Sequence, residues 1–234
     1  MLVPWNRISA RGAGLRLPFD DRAEAGRALA EQLVSLKLDH PVVLALPRGG
    51  VPVGFEVARR LSTADWKVPL DVLVTRKIGY PYQPELGVGA IAEGGEPVLD
   101  QGLLDQLGLS EEDLAATIRS ERVELERRVA AYRGDRSLPA LQGHAVIVVD
   151  DGLATGGTAR AALRAVRLRE PARVVLAVPV GAAETVRALA GGVDDLVVLT
   201  APVNFRAVGY WYRDFEQLTD DDVVTLMARA AERP

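Results

Sequence analysis

The chain has 234 residues, a formal net charge of −4 and no cysteine. This length is typical of one α/β domain with an elaboration. The charge balance argues against a broad nucleic-acid surface, and the lack of cysteine excludes disulfides, thiolate metal sites and cysteine nucleophiles. His40 and His144 are the only histidines, so no histidine-based metal cluster is expected.

The hydropathy pattern predicts a cytoplasmic protein. The N-terminus lacks the apolar run of a signal peptide, and no window has the uninterrupted apolar length of a membrane span. We therefore expect one domain over residues 1–234, with neither a membrane nor a nucleic acid as partner.

The first half of the chain predicts alternating helices and short strands. Asp21 followed by Glu24 is a capping-box pattern and marks a helix start. The further predicted elements are a strand at 42–46, a helix at 53–61, and strands at 70–75 and 88–92.

Two of these predicted strands end in unusual segments. The first is followed by Arg48-Gly49-Gly50, where glycines let the backbone approach a ligand closely, although an ordinary turn is an equal alternative. The second leads into Arg76-Lys77 and a long Gly/Pro-rich segment at 78–87. A loop of that length in a compact domain is usually a functional lid or disordered.

Residues 100–137 predict a helical insertion between strands. A short helix stops at Gly108, and Ser110 with Asp113 caps a longer one. The apolar face of the longer helix falls at helical spacing on Leu114, Ile118, Leu125, Val129 and Tyr132. Its charges are typical of a solvated face.

The second half predicts parallel βαβ units. A buried strand at 146–149 runs into Asp150 and Asp151, then a Gly/Thr-rich loop and a helix at 159–169. The further predicted elements are a strand at 174–178, a helix at 181–189, a strand at 196–200 and a last helix from Thr219 to near Arg229.

The tail at 201–234 begins with a cluster of aromatic residues. They are Phe205, Tyr210, Trp211, Tyr212 and Phe215. Such a cluster packs over a sheet edge as core or stacks on a base, and the sequence leaves both alternatives open.

Loops at the carboxyl ends of parallel strands open on one edge of the sheet, so the three segments described above can share a ligand. Two are cationic or glycine-rich, and the third pairs acids with a phosphate-binding loop. The matching ligand carries a phosphate, hydroxyls, a second anionic group and Mg²⁺. A Walker-type site is disfavoured because no lysine follows Gly157.

Residues 146–158 resemble the phosphoribosyl-diphosphate signature of type I phosphoribosyltransferases. Arg48-Gly49-Gly50 resembles the family's pyrophosphate loop, and Arg76-Lys77 resembles the head of its mobile catalytic loop. The resemblance covers residues 20–200 apart from the insertion, and is nearest to an uncharacterised bacterial group of phosphoribosyltransferase-like proteins. It implies a parallel-sheet α/β fold with an N- and C-terminal hood at 1–19 and 201–216.

The resemblance also implies roles for the site residues. Asp150 and Asp151 would hold the ribose hydroxyls, and Arg76 and Lys77 would close over the diphosphate as catalytic residues. Mg²⁺ would be held mainly through substrate and water. The 5-phosphate would bind at Ala154, Thr155, Gly156, Gly157 and Thr158, and the pyrophosphate at Arg48, Gly49 and Gly50.

The implied activity is Mg²⁺-dependent pentosyl transfer from phosphoribosyl diphosphate to a nitrogenous acceptor in nucleotide metabolism, by a homodimer. Glu85 and Glu93 are candidate general bases, though surface or structural roles suit both. The hood would select the acceptor, with Phe205 or Trp211 as candidate stacking residues. A regulatory protein that binds phosphoribosyl diphosphate or a nucleotide without turnover is the alternative. A phosphatase using the acid pair is disfavoured, because the Gly/Thr loop has no place in that chemistry.

Overall fold

A computed structural model describes residues 16–232. The part of the predicted hood at 1–15 lies outside the described residues. The strands are β1 (Val42–Ala45), β2 (Leu70–Val72), β3 (Thr75–Tyr80), β4 (Gln83–Ala92), β5 (Val98–Leu99), β6 (Ala145–Val149), β7 (Arg173–Val180) and β8 (Asp195–Thr200). The α-helices are α1 (Arg22–Val34), α2 (Gly50–Leu61), α3 (Gln101–Leu107), α4 (Glu111–Arg133), α5 (Gly157–Arg167), α6 (Ala183–Ala190) and α7 (Asp220–Glu232), and a short 3₁₀ helix spans Val208–Trp211.

A five-stranded parallel sheet forms the centre of the protein, in the order β2-β1-β6-β7-β8. Every residue of β1 and of β6 is buried. Continuous runs of valine, leucine and isoleucine fit such strands because helices cover both faces of a parallel sheet. Apolar clusters lie on both sides, one packed by α5 and α6 and the other by α1 and α2. The predicted parallel α/β fold is confirmed.

The predicted loop at 78–87 is wrong: this segment belongs to an antiparallel hairpin. Strands β3 and β4 pair directly, with Pro81 and Tyr82 between them, and β5 completes a second sheet. The glycines that suggested a loop permit close packing instead. A Cβ on Gly79 would lie 2.5 Å from the Pro84 carbonyl oxygen, and one on Gly87 would lie 3.1 Å from Lys77 Cδ.

The predicted strands at 70–75 and 88–92 change accordingly. The first ends at Val72, and Thr75 already pairs with Ala92 in the second sheet. The second predicted strand is the end of the longer, antiparallel β4. Periodicity alone could not separate these strands from those of the parallel sheet.

Helices α3 and α4 cover the hairpin. Their ends follow the capping signals, because Gly108 is left-handed at the end of α3 and Ser110 forms a capping box with Asp113. Side chains of α3, α4 and α7 share an apolar cluster with the hairpin and β2. Among residues 16–232, no helix is long and apolar enough to cross a membrane.

A buried arginine joins α4 to both sheets. The Arg133 side chain is 2% exposed. It donates to Asp71 at 3.2 Å, to the Val72 carbonyl at 2.6 Å and to both carboxylate oxygens of Glu93. Glu93, a candidate general base, therefore has a structural partner.

We predict that Arg133→Ala lowers the free energy of unfolding by about 3–5 kcal/mol, because Asp71, Glu93 and the Val72 carbonyl lose their hydrogen bonds to a buried guanidinium. Urea denaturation of the variant measures this loss. Arg119→Ala removes an exposed arginine from the same helix and should change the free energy by less than about 0.5 kcal/mol. Equal stability of the two variants would contradict the structural role of Arg133.

Candidate functional site

The segment after β6 is fastened to the end of β7. The Leu153 N–H donates to the Val180 carbonyl at 2.9 Å, and the Leu153 carbonyl accepts from Ala182 at 2.8 Å. The Thr185 hydroxyl donates to the Ala154 carbonyl at 2.5 Å. These bonds hold the chain rigidly where it leaves the sheet, which favours a preformed binding loop.

The loop ends at the N-terminus of α5. Gly156 has a φ of 74° and its Cβ would lie 2.6 Å from Thr185 Cγ2, so both backbone and packing require glycine. A Cβ on Gly157, the first residue of α5, would meet nothing within 4 Å. Thr155 is exposed. Free N–H groups at an open helix N-terminus form an anion site.

The two acids lie at the beginning of this loop. One carboxylate oxygen of Asp150 accepts from the Asp151 N–H at 2.8 Å. Asp151 Oδ2 accepts from Arg22 Nε at 2.8 Å. Burial and the neighbouring Asp151 charge raise the pKa of Asp150 well above its usual value. Burial also raises the pKa of Asp151, although Arg22 opposes that shift.

The segment at 48–50 abuts the acid pair. A Cβ on Gly49 would lie 1.9 Å from Asp151 Oδ2, and one on Gly50 would lie 2.6 Å from the Val149 carbonyl oxygen. The preceding peptide, Pro47–Arg48, is cis. The Arg48 guanidinium lies 4.0 Å from Asp220 at the start of α7. The structure thus brings together two of the three predicted segments.

The cations of the third segment have partners on the hairpin and α4. Arg76 Nε donates to Glu121 at 2.7 Å. Lys77 Nζ donates to the Glu85 carbonyl at 3.1 Å and lies 3.6 Å from its carboxylate. These contacts hold the hairpin to α4 and to itself, and do not join it to the acid pair. Glu85, the other candidate base, is exposed on the hairpin.

The described hood consists of residues 16–19 and 201–216. Phe19 pairs with Tyr212 in a short parallel bridge, and Val208 packs on Gly152. Phe205 and Trp211 are partly buried against the core beneath α1 and α2. Core packing therefore accounts for Phe205 and Trp211, the two candidate stacking residues.

Two contacts with Asp151 were missed by sequence reasoning. Arg22 lies in the first turn of α1 and binds the carboxylate, and the Tyr212 hydroxyl donates to the Asp151 carbonyl at 2.6 Å. The helix dipole disfavours a cation at a helix N-terminus. The position of Arg22 at the start of α1 was therefore the one sign in the sequence that this side chain has a tertiary partner. For Tyr212, nothing in the sequence separated this role from that of its aromatic neighbours.

A parallel sheet with an acid pair at a strand end and an open helix N-terminus is an arrangement with which α/β proteins bind phosphorylated ligands. The family model of the phosphoribosyl transferase domain matches residues 20–210. The chain belongs to this family, and its sheet is that of the type I phosphoribosyltransferase fold.

The relatives agree with this assignment. A putative phosphoribosyl transferase of Mycobacterium tuberculosis, found in strains CDC 1551 / Oshkosh and H37Rv, is 47% identical over 212 residues, which cover 91% of this chain. The chain spans 47% of the length of these curated relatives. The crystal structure of TT1426 from Thermus thermophilus is similar with a TM-score of 0.75 and 43% identity, covering 90% of this chain and 98% of that one.

The raised pKa of Asp150 predicts that this acid destabilises the folded protein. Asp150 keeps its proton to a higher pH in the folded state than in the unfolded state. The free energy of unfolding therefore falls as the pH rises through the interval between the two pKa values of Asp150. Asn at this position keeps an oxygen for the Asp151 N–H. Asp150→Asn should therefore be more stable than wild type at about pH 7, with a smaller difference at about pH 4.

Urea denaturation across this pH range tests the prediction. Asp135→Asn, at an exposed position after α4, is the matched control and should follow the wild-type curve. A stability difference for Asp150→Asn that does not depend on pH would contradict the assignment.

Proposed function

We propose that this protein transfers the 5-phosphoribosyl group from phosphoribosyl diphosphate to a nitrogenous acceptor, a nucleobase in the first instance, with release of pyrophosphate. The observation that carries the proposal is the acid pair at the end of β6. It lies between the Arg48-Gly49-Gly50 segment and an open helix N-terminus. One ligand can match all three: its hydroxyls the acid pair, its diphosphate the Arg48-Gly49-Gly50 segment, and its phosphate the helix N-terminus.

The substrate would lie along this edge of the sheet. Asp150 and Asp151 would accept hydrogen bonds from the ribose hydroxyls. Arg48, Gly49 and Gly50 would contact the diphosphate. The 5-phosphate would bind the main-chain N–H groups of Ala154, Thr155, Gly156, Gly157 and Thr158, together with the hydroxyls of Thr155 and Thr158.

The donor set fits Mg²⁺ held largely by substrate and water. Two adjacent carboxylates with raised pKa values favour a nearby cation. Among residues 16–232, no cluster of three or more acids and histidines could hold a metal by itself. When bound, Mg²⁺ would supply positive charge to the leaving diphosphate.

The reaction requires charge stabilisation rather than a protein nucleophile. As the bond from the anomeric carbon to the diphosphate breaks, the ribose gains oxocarbenium character and the leaving group gains negative charge. Arg48, whose guanidinium lies 4.0 Å from Asp220, would stabilise that charge after turning towards the diphosphate. Water must be kept away because it would intercept the ribose.

Lys77 is better suited than Arg76 to join the diphosphate. The Lys77 ion pair with Glu85 is exposed, and such pairs contribute little, so exchange for a phosphate costs little. Arg76 and Glu121 are mostly buried, with side chains 25% and 20% exposed, so their separation would cost more. We propose Lys77 as the closing cation, with Arg76 as a second candidate that must first leave Glu121.

A regulatory protein that binds the same ligand without turnover is the second candidate. The observation that favours it is that both hairpin cations already have acidic partners. A binding protein has less need for a cationic lid, and the hairpin would then serve as a fixed wall. Turnover distinguishes the two functions.

The acceptor would face the hood. Among the aromatic residues in the described part of the hood, Tyr210 is the most open to solvent, at 70% exposed. Tyr210 is therefore our candidate for acceptor stacking, in place of Phe205 and Trp211. A homodimer in the cytoplasm stays a prediction.

The Asp150→Asn/Asp151→Asn variant should lose Mg²⁺-dependent binding of phosphoribosyl diphosphate while staying folded. Two hydrogen bonds to charged groups are lost, so we expect affinity to fall by about a hundredfold or more. Isothermal titration calorimetry measures the affinity and circular dichroism the fold, with Asp135→Asn as control. Unchanged affinity of the double variant would refute the site.

For turnover, pyrophosphate release from phosphoribosyl diphosphate is measured across free bases and small amines. Lys77→Ala should reduce turnover by about a hundredfold, because it removes a cation from the developing negative charge. Its ligand affinity should change by only about threefold, and Arg119→Ala should leave both values as in wild type. Wild-type turnover in Lys77→Ala would exclude the closing role. Binding without pyrophosphate release across the whole screen would favour the regulatory protein.

A further inference from the structure

Arg22 lies where its positive charge is unfavourable, so its contacts must offset that cost. It is the first residue of α1, where the helix dipole disfavours a cation, and its side chain is only 11% exposed. Local sequence preference therefore does not explain its position. The tertiary contacts of its guanidinium group do.

Three groups surround that guanidinium. Nε donates to Asp151 Oδ2 at 2.8 Å, and an Nη donates to the Glu216 carbonyl at 3.0 Å. The guanidinium carbon lies 3.9 Å from the centre of the Phe215 ring. The Arg22 guanidinium thus contacts both the acid pair and the C-terminal part of the hood.

The contact with Asp151 uses one carboxylate oxygen. Oδ2 is held between Arg22 and the close approach of Gly49. The Asp151 carboxyl also interacts with the Asp150 side chain and with its own backbone N–H. Arg22 therefore acts with these neighbours to fix the orientation of the carboxylate.

The hood has a second connection to the same residue. The Tyr212 hydroxyl donates to the Asp151 carbonyl at 2.6 Å. The Tyr212 ring stacks on Phe215 at 5.1 Å between centres, and the Phe215 ring also contacts Arg22. Asp151, Tyr212, Phe215 and Arg22 thus form a closed ring of contacts, in which a displacement of one member disturbs the others.

We propose that Arg22 is a positioning residue that couples docking of the hood to the orientation of Asp151. The part of this proposal that concerns ligand binding rests on the proposed function. Ribose binding at Asp151 and docking of the hood would then be one linked equilibrium. By linkage, a change that releases the hood weakens ribose binding, and a bound ribose favours the docked hood.

The side chain at position 22 separates this role from simple packing. Arg22→Met keeps most of the apolar stem but loses the ion pair and the bond to Glu216. Arg22→Lys restores a charge opposite Asp151, although it lacks the planar group that lies over Phe215. Arg27→Met is the matched control, since Arg27 lies on the same helix, is 51% exposed and is 3.9 Å from Glu56.

The readout is fluorine NMR of protein labelled with 5-fluorotryptophan. The chain has three tryptophans, and Trp211 lies in the hood beside Tyr212. Its resonance, assigned by Trp211→Phe, reports hood docking without any ligand. We expect Arg22→Met to shift this resonance, Arg22→Lys to move it back towards wild type, and Arg27→Met to leave it unchanged.

Calorimetry with phosphoribosyl diphosphate and Mg²⁺ provides the second readout. We expect about tenfold weaker binding in Arg22→Met and substantial recovery in Arg22→Lys. Ligand should also shift the Trp211 resonance in wild type, with a smaller shift in Arg22→Met at saturation. An unshifted Trp211 resonance in ligand-free Arg22→Met would overturn the coupling, even if affinity falls. Absence of binding by wild type would instead refute the proposed function, and the ligand-free resonances would still test the coupling.

Discussion

Two adjacent, partly buried carboxylates at the end of β6 are the constraint on which the rest of the site depends. Partial burial raises the pKa of both Asp150 and Asp151, and the Asp151 charge raises that of Asp150 further. Arg22 offsets part of that charge. A fold with only stability to satisfy would not place two acids here, so their cost is best explained by a ligand rich in hydroxyls and by a cation.

The surroundings of this pair divide into fixed and exchangeable parts. Gly49 and Gly156 fit spaces that no side chain could enter, and the acid loop is bonded to the end of β7. Preformed donors lose little freedom when a phosphate binds, which favours both affinity and catalysis. The Lys77 ion pair, by contrast, is exposed and easily exchanged. A rigid loop beside the loosely held Lys77 is the arrangement expected of a site that closes over its ligand.

Sequence reasoning succeeded where the signal was local. Valine-rich runs predicted β1, β6 and β7, and the Ser110–Asp113 and Asp21 signals predicted the starts of helices that the structure contains. It failed at the hairpin, where Gly79 and Gly87 were taken as signs of a flexible loop. Glycine permits both a flexible loop and the close approach of another strand, and only the packed neighbour distinguishes the two.

The sequence by itself determined the parallel sheet, the acid pair and the glycine-rich start of α5, since hydrophobic runs and the Gly/Thr loop act over a few residues. The tertiary structure alone decided which distant groups meet that loop. Arg22 is 129 positions from Asp151 and Tyr212 is 61, and no pattern in the chain encodes either contact. Packing of α1 and the hood around Asp151 brings Arg22 to its carboxylate and Tyr212 to its main-chain carbonyl, because partly buried polar groups are stable only where their partners converge.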